Sequence, residues 1–339
     1  MILVNNIAGV KYPLTRINDD AYLVGINGKF EIRSFNTDDL IFSTKLDECN
    51  FKILSNKIYF IFQNRVFVYD VNLKKYALFF ESVEEKEIWF VNESYIFETA
   101  RTEVRREYQY SLKRVSNKEI IWSEKSKLRP SVVSSKDLFF TDILGSVFFK
   151  KNLNSKETIW TINFSDNRLK PKVILINDIL VLETSNQDLI GIELQTGKEL
   201  WRLSNSNMHL QQQPNTNYLI GLSANSFGNN FYQVIDPIDG KKIVDKKFES
   251  FFYETTPTLA CITETHYYFI SNILGDGTGT KSERITHLGC INLQTHEIEW
   301  IEKIGTTSDR RNGYQKPEVH NNKFYLLDGE QTLHIYEIV

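Results

Sequence analysis

Short apolar runs separated by polar turns follow one another along the whole chain. The runs are rich in Val, Ile, Phe, Tyr and Thr, and the turns are two to four residues long and contain Asn, Asp, Gly and Lys. Runs and turns of this kind are typical of β-strands joined by hairpins. Sustained helical periodicity is absent, which disfavours an α/β or helical solenoid. The sequence therefore predicts an all-β protein.

One unit recurs through these strands. It consists of a strand, a polar turn, and a second strand with an apolar residue six positions after the turn begins; residues 189–201 (LIGIELQTGKELW) are the clearest copy. Successive turns begin 36 to 56 residues apart, and a period near 40 is typical of propellers and solenoids. The turns begin at Asn36, Asn72, Ser116, Asn154, Gln195, Ile238 and Gln294, and the apolar residues are Phe42, Leu78, Trp122, Trp160, Trp201, Val244 and Trp300.

Each unit also contains two further apolar runs before the turn, which gives four strands per unit. We predict a single closed β-propeller of eight four-stranded blades over residues 1–339, with seven blades as the alternative. The last segment, residues 323–339, stops where its turn should begin. We therefore expect the N-terminal strand, from Ile2 to Asn5, to complete the last blade and to remove an exposed strand edge.

Charge and cysteine content limit the class of protein. The net charge of -3 gives no general attraction to nucleic acid, so nucleic acid is an unlikely partner. Three cysteines in a large chain indicate reduced, buried thiols rather than a disulfide framework. The first residues lack the pattern of a secretion signal, and no run is long and apolar enough for a membrane span. These features predict a cytoplasmic protein.

The copy QTGKELW at 195–201, with Glu193 two residues before it, resembles the repeat of quinoprotein-type (PQQ-like) β-propellers. Residues 237–244 and 294–300 are looser matches. The resemblance implies that Trp122, Trp160, Trp201 and Trp300 dock neighbouring blades, with turn residues hydrogen-bonded beside them. The family's dehydrogenases are longer and hold their cofactor with calcium and often a vicinal cysteine pair. No two cysteines are adjacent here, so we predict no such cofactor.

No motif for catalysis or metal binding is present. The six histidines form no HxH or HExxH pair, so we predict structural roles for them and no metal. The glycine-rich segment 275–280 lacks the spacing of a phosphate-binding loop and lies between strands, so we interpret it as a hairpin tip. No GxSxG nucleophile motif occurs, and no catalytic residues are predicted.

Loop length is the most informative functional signal. In a propeller, the connections from the second to the third strand and from one blade to the next emerge on one face, and here they are long. Long loops on a rigid scaffold usually carry binding residues, and aromatic and arginine side chains are favoured anchors. The predicted partner-binding residues are Phe251, Phe252, Tyr253, Arg310, Arg311, Tyr314, Arg101, Arg105 and Arg106.

We predict a non-catalytic β-propeller that binds another protein through this long-loop face. A specific version is an immunity protein that neutralises a bacterial toxin, because the locally basic loops suit an acidic surface and the irregular repeats suit a fast-diverging gene. The alternative is a propeller enzyme or small-molecule binder that uses the central channel. That alternative requires convergent polar groups with shifted pKa values at the channel mouth; Asp309 and His209 are isolated candidates.

Overall fold

The computed structural model shows a chain built from β-strands. It describes residues 1–338 except for a set of short segments, most of them connections between strands. All regular secondary structure in the described residues is β, in 32 strands. The segments outside the description are 46–48, 55, 63, 83–86, 91–93, 105–106, 127, 134–136, 143–145, 153–154, 156, 165–167, 205–207, 215, 224–229, 249–253, 275–283 and 308–313.

The first strand, β1 (Ile2–Ala8), stands apart in sequence from the blade that it completes. The strands that follow it form blades 1 to 4. Blade 1 contains β2 (Val10–Arg16), β3 (Ala21–Ile26), β4 (Lys29–Ser34) and β5 (Leu40–Thr44); blade 2 contains β6 (Asn50–Leu54), β7 (Lys57–Phe62), β8 (Arg65–Asp70) and β9 (Lys75–Glu81); blade 3 contains β10 (Glu87–Phe90), β11 (Tyr95–Arg101), β12 (Tyr108–Arg114) and β13 (Ile120–Ser126); blade 4 contains β14 (Leu128–Val133), β15 (Asp137–Asp142), β16 (Val147–Asn152) and β17 (Thr158–Asn163).

Blades 5 to 8 follow in the same way, and their strands differ more in length. Blade 5 contains β18 (Leu169–Ile176), β19 (Ile179–Thr184), β20 (Leu189–Glu193) and β21 (Glu199–Leu203); blade 6 contains β22 (Met208–Gln212), β23 (Leu219–Ser223), β24 (Asn230–Ile235) and β25 (Lys242–Phe248); blade 7 contains β26 (Glu254–Ile262), β27 (His266–Leu274), β28 (Arg284–Asn292) and β29 (Ile298–Thr307); blade 8 contains β30 (Glu318–His320), β31 (Lys323–Leu327) and β32 (Thr332–Glu337).

The described strands form eight four-stranded sheets, which confirms the predicted propeller of four-stranded blades. In seven sheets the strands lie in chain order, and in the eighth the order is β1-β32-β31-β30. Neighbouring strands are antiparallel throughout. Successive connections therefore alternate between the two faces of the ring, with the first-to-second and third-to-fourth strand turns on one face, called here the turn face. The other connections lie on the opposite, long-loop face.

The buried apolar residues in the described part of the chain form eight clusters, and each cluster lies between two neighbouring blades. Leu180 and Phe148, for example, pack together between blades 4 and 5, and Ile220 and Phe269 between blades 6 and 7. The remaining clusters join blades 1 and 2, 2 and 3, 3 and 4, 5 and 6, and 7 and 8. One cluster, with Tyr22 and Tyr325, joins blade 8 to blade 1 and so closes the ring.

The N-terminal strand completes blade 8, as predicted. β1 pairs antiparallel with β32, from Ile2 opposite Glu337 to Ala8 opposite Thr332. Ile7 packs against the cluster that joins blades 8 and 1. The pairing covers the edge of β32 and holds the two chain ends in one sheet.

A recurring five-residue turn between the third and fourth strands, called here the docking turn, explains the sequence repeat. The N–H of its fifth residue donates to the carbonyl of its first at 2.8 to 2.9 Å, and the fifth residue has a left-handed conformation with φ between 59° and 72°. Among the described turns, those with both features run from Ser34 to Asp38, Arg114 to Lys118, Glu193 to Gly197, Asp236 to Gly240 and Asn292 to His296.

Two tryptophans dock on the docking turn of the next blade. The indole N–H of Trp160 donates to the Leu194 carbonyl at 3.1 Å, and that of Trp201 donates to the Pro237 carbonyl at 2.7 Å. A Cβ atom on Gly197 would lie 2.7 Å from the Trp160 ring, and one on Gly240 would lie 2.7 Å from the Trp201 ring. Both tryptophans therefore contact the neighbouring blade through the indole N–H and the face of the ring.

The remaining tryptophans of the repeat also face a neighbouring blade. Trp122 is 2% exposed and packs in the cluster that includes Phe149 of blade 4. Trp300 is partly buried against blade 8, in the same cluster as Met1. Blade 8 has the chain ends in place of a docking turn, which explains why Trp300 is less covered than Trp201.

Leu78 has the spacing of the repeat but does not take the interblade position of the repeat tryptophans. In blades 1, 3, 4, 5, 6 and 7, a β-bulge falls just before the repeat residue. In blade 2 the bulge falls two residues later, between the pairs Phe67↔Leu78 and Val66↔Phe80. Leu78 is therefore 51% exposed, and Phe80, at 2%, packs against blade 3.

The three cysteines are free and buried, as predicted. Among the described residues, no helix is long and apolar enough to cross a membrane.

Candidate functional site

The long-loop face is most elaborated around blade 7. Blade 7 has strands of nine or ten residues, whereas the strands of the other blades have three to eight. The two longest connections on this face, after β27 and β29, comprise residues 275–283 and 308–317. The other connections on this face have one to six residues. The elaboration is therefore concentrated at blade 7 and at the entry to blade 8.

Of the predicted binding residues, the structure describes Arg101 and Tyr314. Arg101 is exposed at the end of β11, next to the turn in which the Thr102 hydroxyl donates to the Glu107 carboxylate at 3.1 Å. Val104, in the same connection, is 51% exposed. The other predicted residues lie outside the described part of the chain: Phe251, Phe252, Tyr253, Arg105, Arg106, Arg310 and Arg311.

Tyr314 packs inward. Its hydroxyl donates to the Ile304 carbonyl at 3.0 Å, and the hydroxyl lies where a Cβ on Gly305 would be. The ring belongs to the cluster between blades 7 and 8, and burial raises the pKa of Tyr314 to about 12. These contacts fasten the segment before blade 8 to β29. A structural role thus accounts for Tyr314, and its substitution would disturb packing as well as any binding surface.

A groove on the turn face was not anticipated from the sequence. It has a volume of about 700 Å³ and opens beside the inner strands of blades 7, 8 and 1. Polar and titratable side chains are concentrated on its wall. The lining residues include Arg16, Cys261, His266, Tyr268, Glu318 and His320.

Glu318 is the central charged group of the groove. One of its carboxylate oxygens lies 3.4 Å from the Lys316 ammonium, and the other accepts from the Cys261 thiol at 3.9 Å. Burial raises the pKa of Glu318, while Lys316 and Arg16 oppose that rise. The carboxyl group is therefore poised to hold a proton more readily than an exposed glutamate.

Two other titratable groups of the groove, His320 and Cys261, are shifted toward their neutral forms. The His320 ring packs against Phe35 with 4.1 Å between ring centroids, and burial, followed by Arg16, lowers the pKa of His320. Burial, with Glu318 second, raises the pKa of Cys261 to about 12. Cys261 is thus a neutral thiol near pH 7, which makes it a poor nucleophile. The groove offers binding groups of both signs rather than an activated nucleophile.

The sequence missed this groove because its residues are far apart along the chain. Arg16, Cys261 and Glu318 come from three different blades, and only ring closure brings blade 1 beside blade 8. The alternative of an enzyme or small-molecule binder that uses the central channel named Asp309 and His209 as candidates. Asp309 and the side chain of His209 lie outside the described part of the structure, so this alternative stays a prediction.

Comparisons with known proteins identify the fold. No family model and no curated protein matches the sequence. Among solved structures, the C-terminal WD40 domain of Sif2 is similar with a TM-score of 0.64 and 8% identity, covering 99% of this chain and 98% of that one. The computationally designed Ika8 protein gives 0.63 and 10%, covering 98% and 96%. BamB from Moraxella catarrhalis gives 0.58 and 10%, covering 99% of each chain. The chain therefore shares the β-propeller fold.

Proposed function

We propose that this protein is a non-catalytic β-propeller that binds another protein through its long-loop face. The observation that carries the proposal is the pair of long connections at 275–283 and 308–317, which follow extended strands of blade 7. A rigid ring joined by interblade clusters can hold such connections in place. The predicted arginine anchors at 310–311 fall within the second of these connections, and the predicted aromatic anchors at 251–253 fall within the connection that precedes blade 7.

A finer version makes the protein a cytoplasmic immunity protein that neutralises a bacterial toxin. Arg101 and Lys125 are exposed at the long-loop ends of β11 and β13, and the sequence of the 308–317 connection adds Arg310 and Arg311, in a chain whose net charge is -3. Such a face suits an acidic surface on the partner. The docking of Trp160 and Trp201 on glycine turns supports a quinoprotein-type repeat as the origin of the scaffold.

The test is affinity purification of the tagged protein from its source cells. The loop variant is Arg310→Ala with Arg311→Ala, and Tyr314 is kept because it packs against β29. The matched control is Lys198→Ala with Lys241→Ala, which removes two exposed cations from the turn face. A stoichiometric partner that is lost in the loop variant and retained in the control supports the proposal. Equal retention in both variants contradicts it.

The groove on the turn face favours a second function, the binding of a small polar molecule. Glu318 and His320 supply convergent polar groups with shifted pKa values, which this function requires, and Arg16 lines the same groove. A screen of small acids and amines by thermal shift would test it, with Glu318→Gln as the variant. A ligand that stabilises the wild-type protein and not the variant supports groove binding; a ligand that stabilises both proteins equally binds elsewhere.

A further inference from the structure

Blade 7 brings together three metal-ligating side chains of different kinds. Glu299 Oε2 lies 3.0 Å from His266 Nε2 and 4.0 Å from Cys290 Sγ. The three donor atoms lie within 4.8 Å of one another. We propose that His266, Cys290 and Glu299 form a binding site for a zinc-class divalent transition metal.

Antiparallel register creates this cluster. His266 begins β27 and lies opposite Asn292 of β28, while Cys290 of β28 lies opposite Trp300 of β29. Glu299 precedes Trp300 at the β-bulge between these two strands, which turns its side chain toward Cys290 and His266. In the sequence, the three ligands are separated by 24 and 9 positions, so no short metal motif marks them.

Two of the three donor separations are close to those around a tetrahedral ion. Zinc bonds of about 2.0 to 2.3 Å to nitrogen, oxygen and sulfur place neighbouring donors of a tetrahedron about 3.3 to 3.6 Å apart. The His266–Glu299 distance must widen by a few tenths of an ångström, and the Cys290–Glu299 distance must shorten by a similar amount. The His266–Cys290 distance, which is at most 4.8 Å, must reach the same range through rotation of the His266 side chain. His266 and Glu299 have side chains that are 26% and 39% exposed, so both have room to rotate.

Each of the two polar ligands is oriented by a further hydrogen bond. The Asn292 amide donates to Glu299 Oε1 at 2.7 Å, which leaves Oε2 directed at the cluster. Thr265 Oγ1 lies 2.7 Å from His266 Nδ1, which fixes the ring and leaves Nε2 for the metal. Such outer contacts accompany metal ligands in proteins and set their tautomer and orientation. An ordinary surface ion pair does not require them.

The mixture of donors selects the ion. A thiolate and an imidazole favour zinc and similar transition metals, whereas calcium and magnesium prefer oxygen ligands alone. Cys290 is 1% exposed, and burial raises the pKa of its thiol to about 12, so the metal must displace a proton on binding. Water could supply a fourth ligand, because the side chains of His266 and Glu299 are partly exposed. Since the ligands come from β27, β28 and β29, the ion would clamp three strands of the longest blade.

Cobalt is the most direct probe of this site, because a Co²⁺–thiolate bond gives a near-ultraviolet charge-transfer band and tetrahedral Co²⁺ gives visible bands. Chelator-treated full-length protein is titrated with CoCl₂ and then with ZnSO₄. One equivalent of Co²⁺ should develop both sets of bands, and one equivalent of Zn²⁺ should abolish them. Affinity should increase with pH, because the metal competes with the Cys290 proton.

Matched variants separate this site from chance binding. Cys290→Ser should remove the charge-transfer band, whereas Cys261→Ser, which changes another buried cysteine of blade 7, should retain it. His266→Gln and Glu299→Gln, both at partly exposed positions, keep the fold and should weaken binding by at least about 100-fold, since loss of an outer-shell partner alone costs 10- to 100-fold. A wild-type protein without the thiolate band, or a Cys290→Ser variant that keeps it, overturns the proposal.

Discussion

At the scale of single residues, the tryptophan ring decides where glycine is required. The fifth residue of the docking turn is left-handed in every described example, yet it is Asp38, Lys118 or His296 in three of them. The left-handed conformation at the fifth position of the docking turn is therefore compatible with residues other than glycine. Gly197 and Gly240 differ because the indole rings of Trp160 and Trp201 occupy the space of a Cβ. The glycine of the sequence repeat is explained by close approach to the ring.

Gly240→Ala should lower the free energy of unfolding by about 1 to 3 kcal/mol, because the new methyl group would overlap the Trp201 ring and add strain at φ +72°. Urea denaturation measures the loss. The matched comparison is the same substitution in a Trp201→Ala background, where only the conformational strain remains. An equal cost in both backgrounds would contradict the steric explanation.

His296 links the stability of the ring to pH. Its Nδ1 lies 3.1 Å from the Tyr232 hydroxyl, across the boundary between blades 6 and 7. Burial, and then Lys246, lowers the pKa of His296 below its ordinary value of 6.5. The folded protein therefore binds this proton less readily than the unfolded chain. The contribution of neutral His296 to the free energy of unfolding is complete above pH 6.5 and decreases as the pH falls below that value.

We expect the His296→Asn variant to lose less stability than the wild-type protein between about pH 7 and pH 5.5. Asparagine is suitable because it tolerates the left-handed conformation at this position. Urea denaturation at a series of pH values measures the slope for both proteins. Parallel slopes would show that His296 does not contribute to the acid sensitivity of the fold.

At the scale of strands, the position of a β-bulge determines which side chain reaches the next blade. The displaced bulge in β9 leaves Leu78 exposed and directs Phe80 toward blade 3. There the ammonium groups of Lys113 and Lys118 lie 5.8 and 5.4 Å from the Phe80 ring centroid. Lys118 is the fifth residue of the docking turn in blade 3, so Phe80 occupies the place that a tryptophan takes elsewhere.

Substitutions of Leu78 and Phe80 test whether the displaced bulge places Phe80, and not Leu78, between blades 2 and 3. Phe80→Ala should destabilise the protein by about 3 to 5 kcal/mol, as expected for an aromatic ring removed from a packed core. Leu78→Ser should change stability by no more than about 0.5 kcal/mol, because the side chain is exposed. Thermal or urea denaturation of both variants measures the difference. A Leu78 variant less stable than the Phe80 variant would contradict this interpretation.

At the scale of the whole molecule, a period near 40, strand composition and an incomplete last unit were enough to predict the propeller and its N-terminal closure. The bulge in blade 2 could not be predicted, because Leu78 has the right spacing and only its pairing partner is displaced. The groove at Glu318 and the cluster at Cys290 were also missed. Both depend on side chains brought together by strand register or ring closure, which spacing along one chain does not reveal.

Blade 8 nearly reproduces a docking turn from the two chain ends. The Ile338 N–H donates to the Asn322 carbonyl at 2.7 Å, as the Leu194 N–H does to the Asp178 carbonyl at 2.8 Å in blade 5. The bulge between Leu3 and Asn5 corresponds to the one at Glu199 to Trp201. When blade 8 is aligned with blade 5 through this hydrogen bond and this bulge, Met1 corresponds to Gly197. The turn position just before Met1 has no residue in blade 8. Met1 thus lies in the cluster of Trp300, at the position where blades 5 and 6 have glycine.

This correspondence predicts that the ends can be joined. A circular permutant in which Val339 is followed by Thr, Gly and then Ile2, with new ends between Ser116 and Asn117 of the docking turn in blade 3, should fold into the same ring. The new glycine should cover the Trp300 ring as Gly240 covers Trp201.

A second permutant with Ala in place of that glycine should be less stable by about 1 to 3 kcal/mol, because a methyl group would meet the ring. Circular dichroism and urea denaturation of the two permutants measure fold and stability. Equal stabilities would show that the joined ends do not form a docking turn, whereas the expected difference would make closure of the ring a property of the repeat rather than of the position of the chain ends.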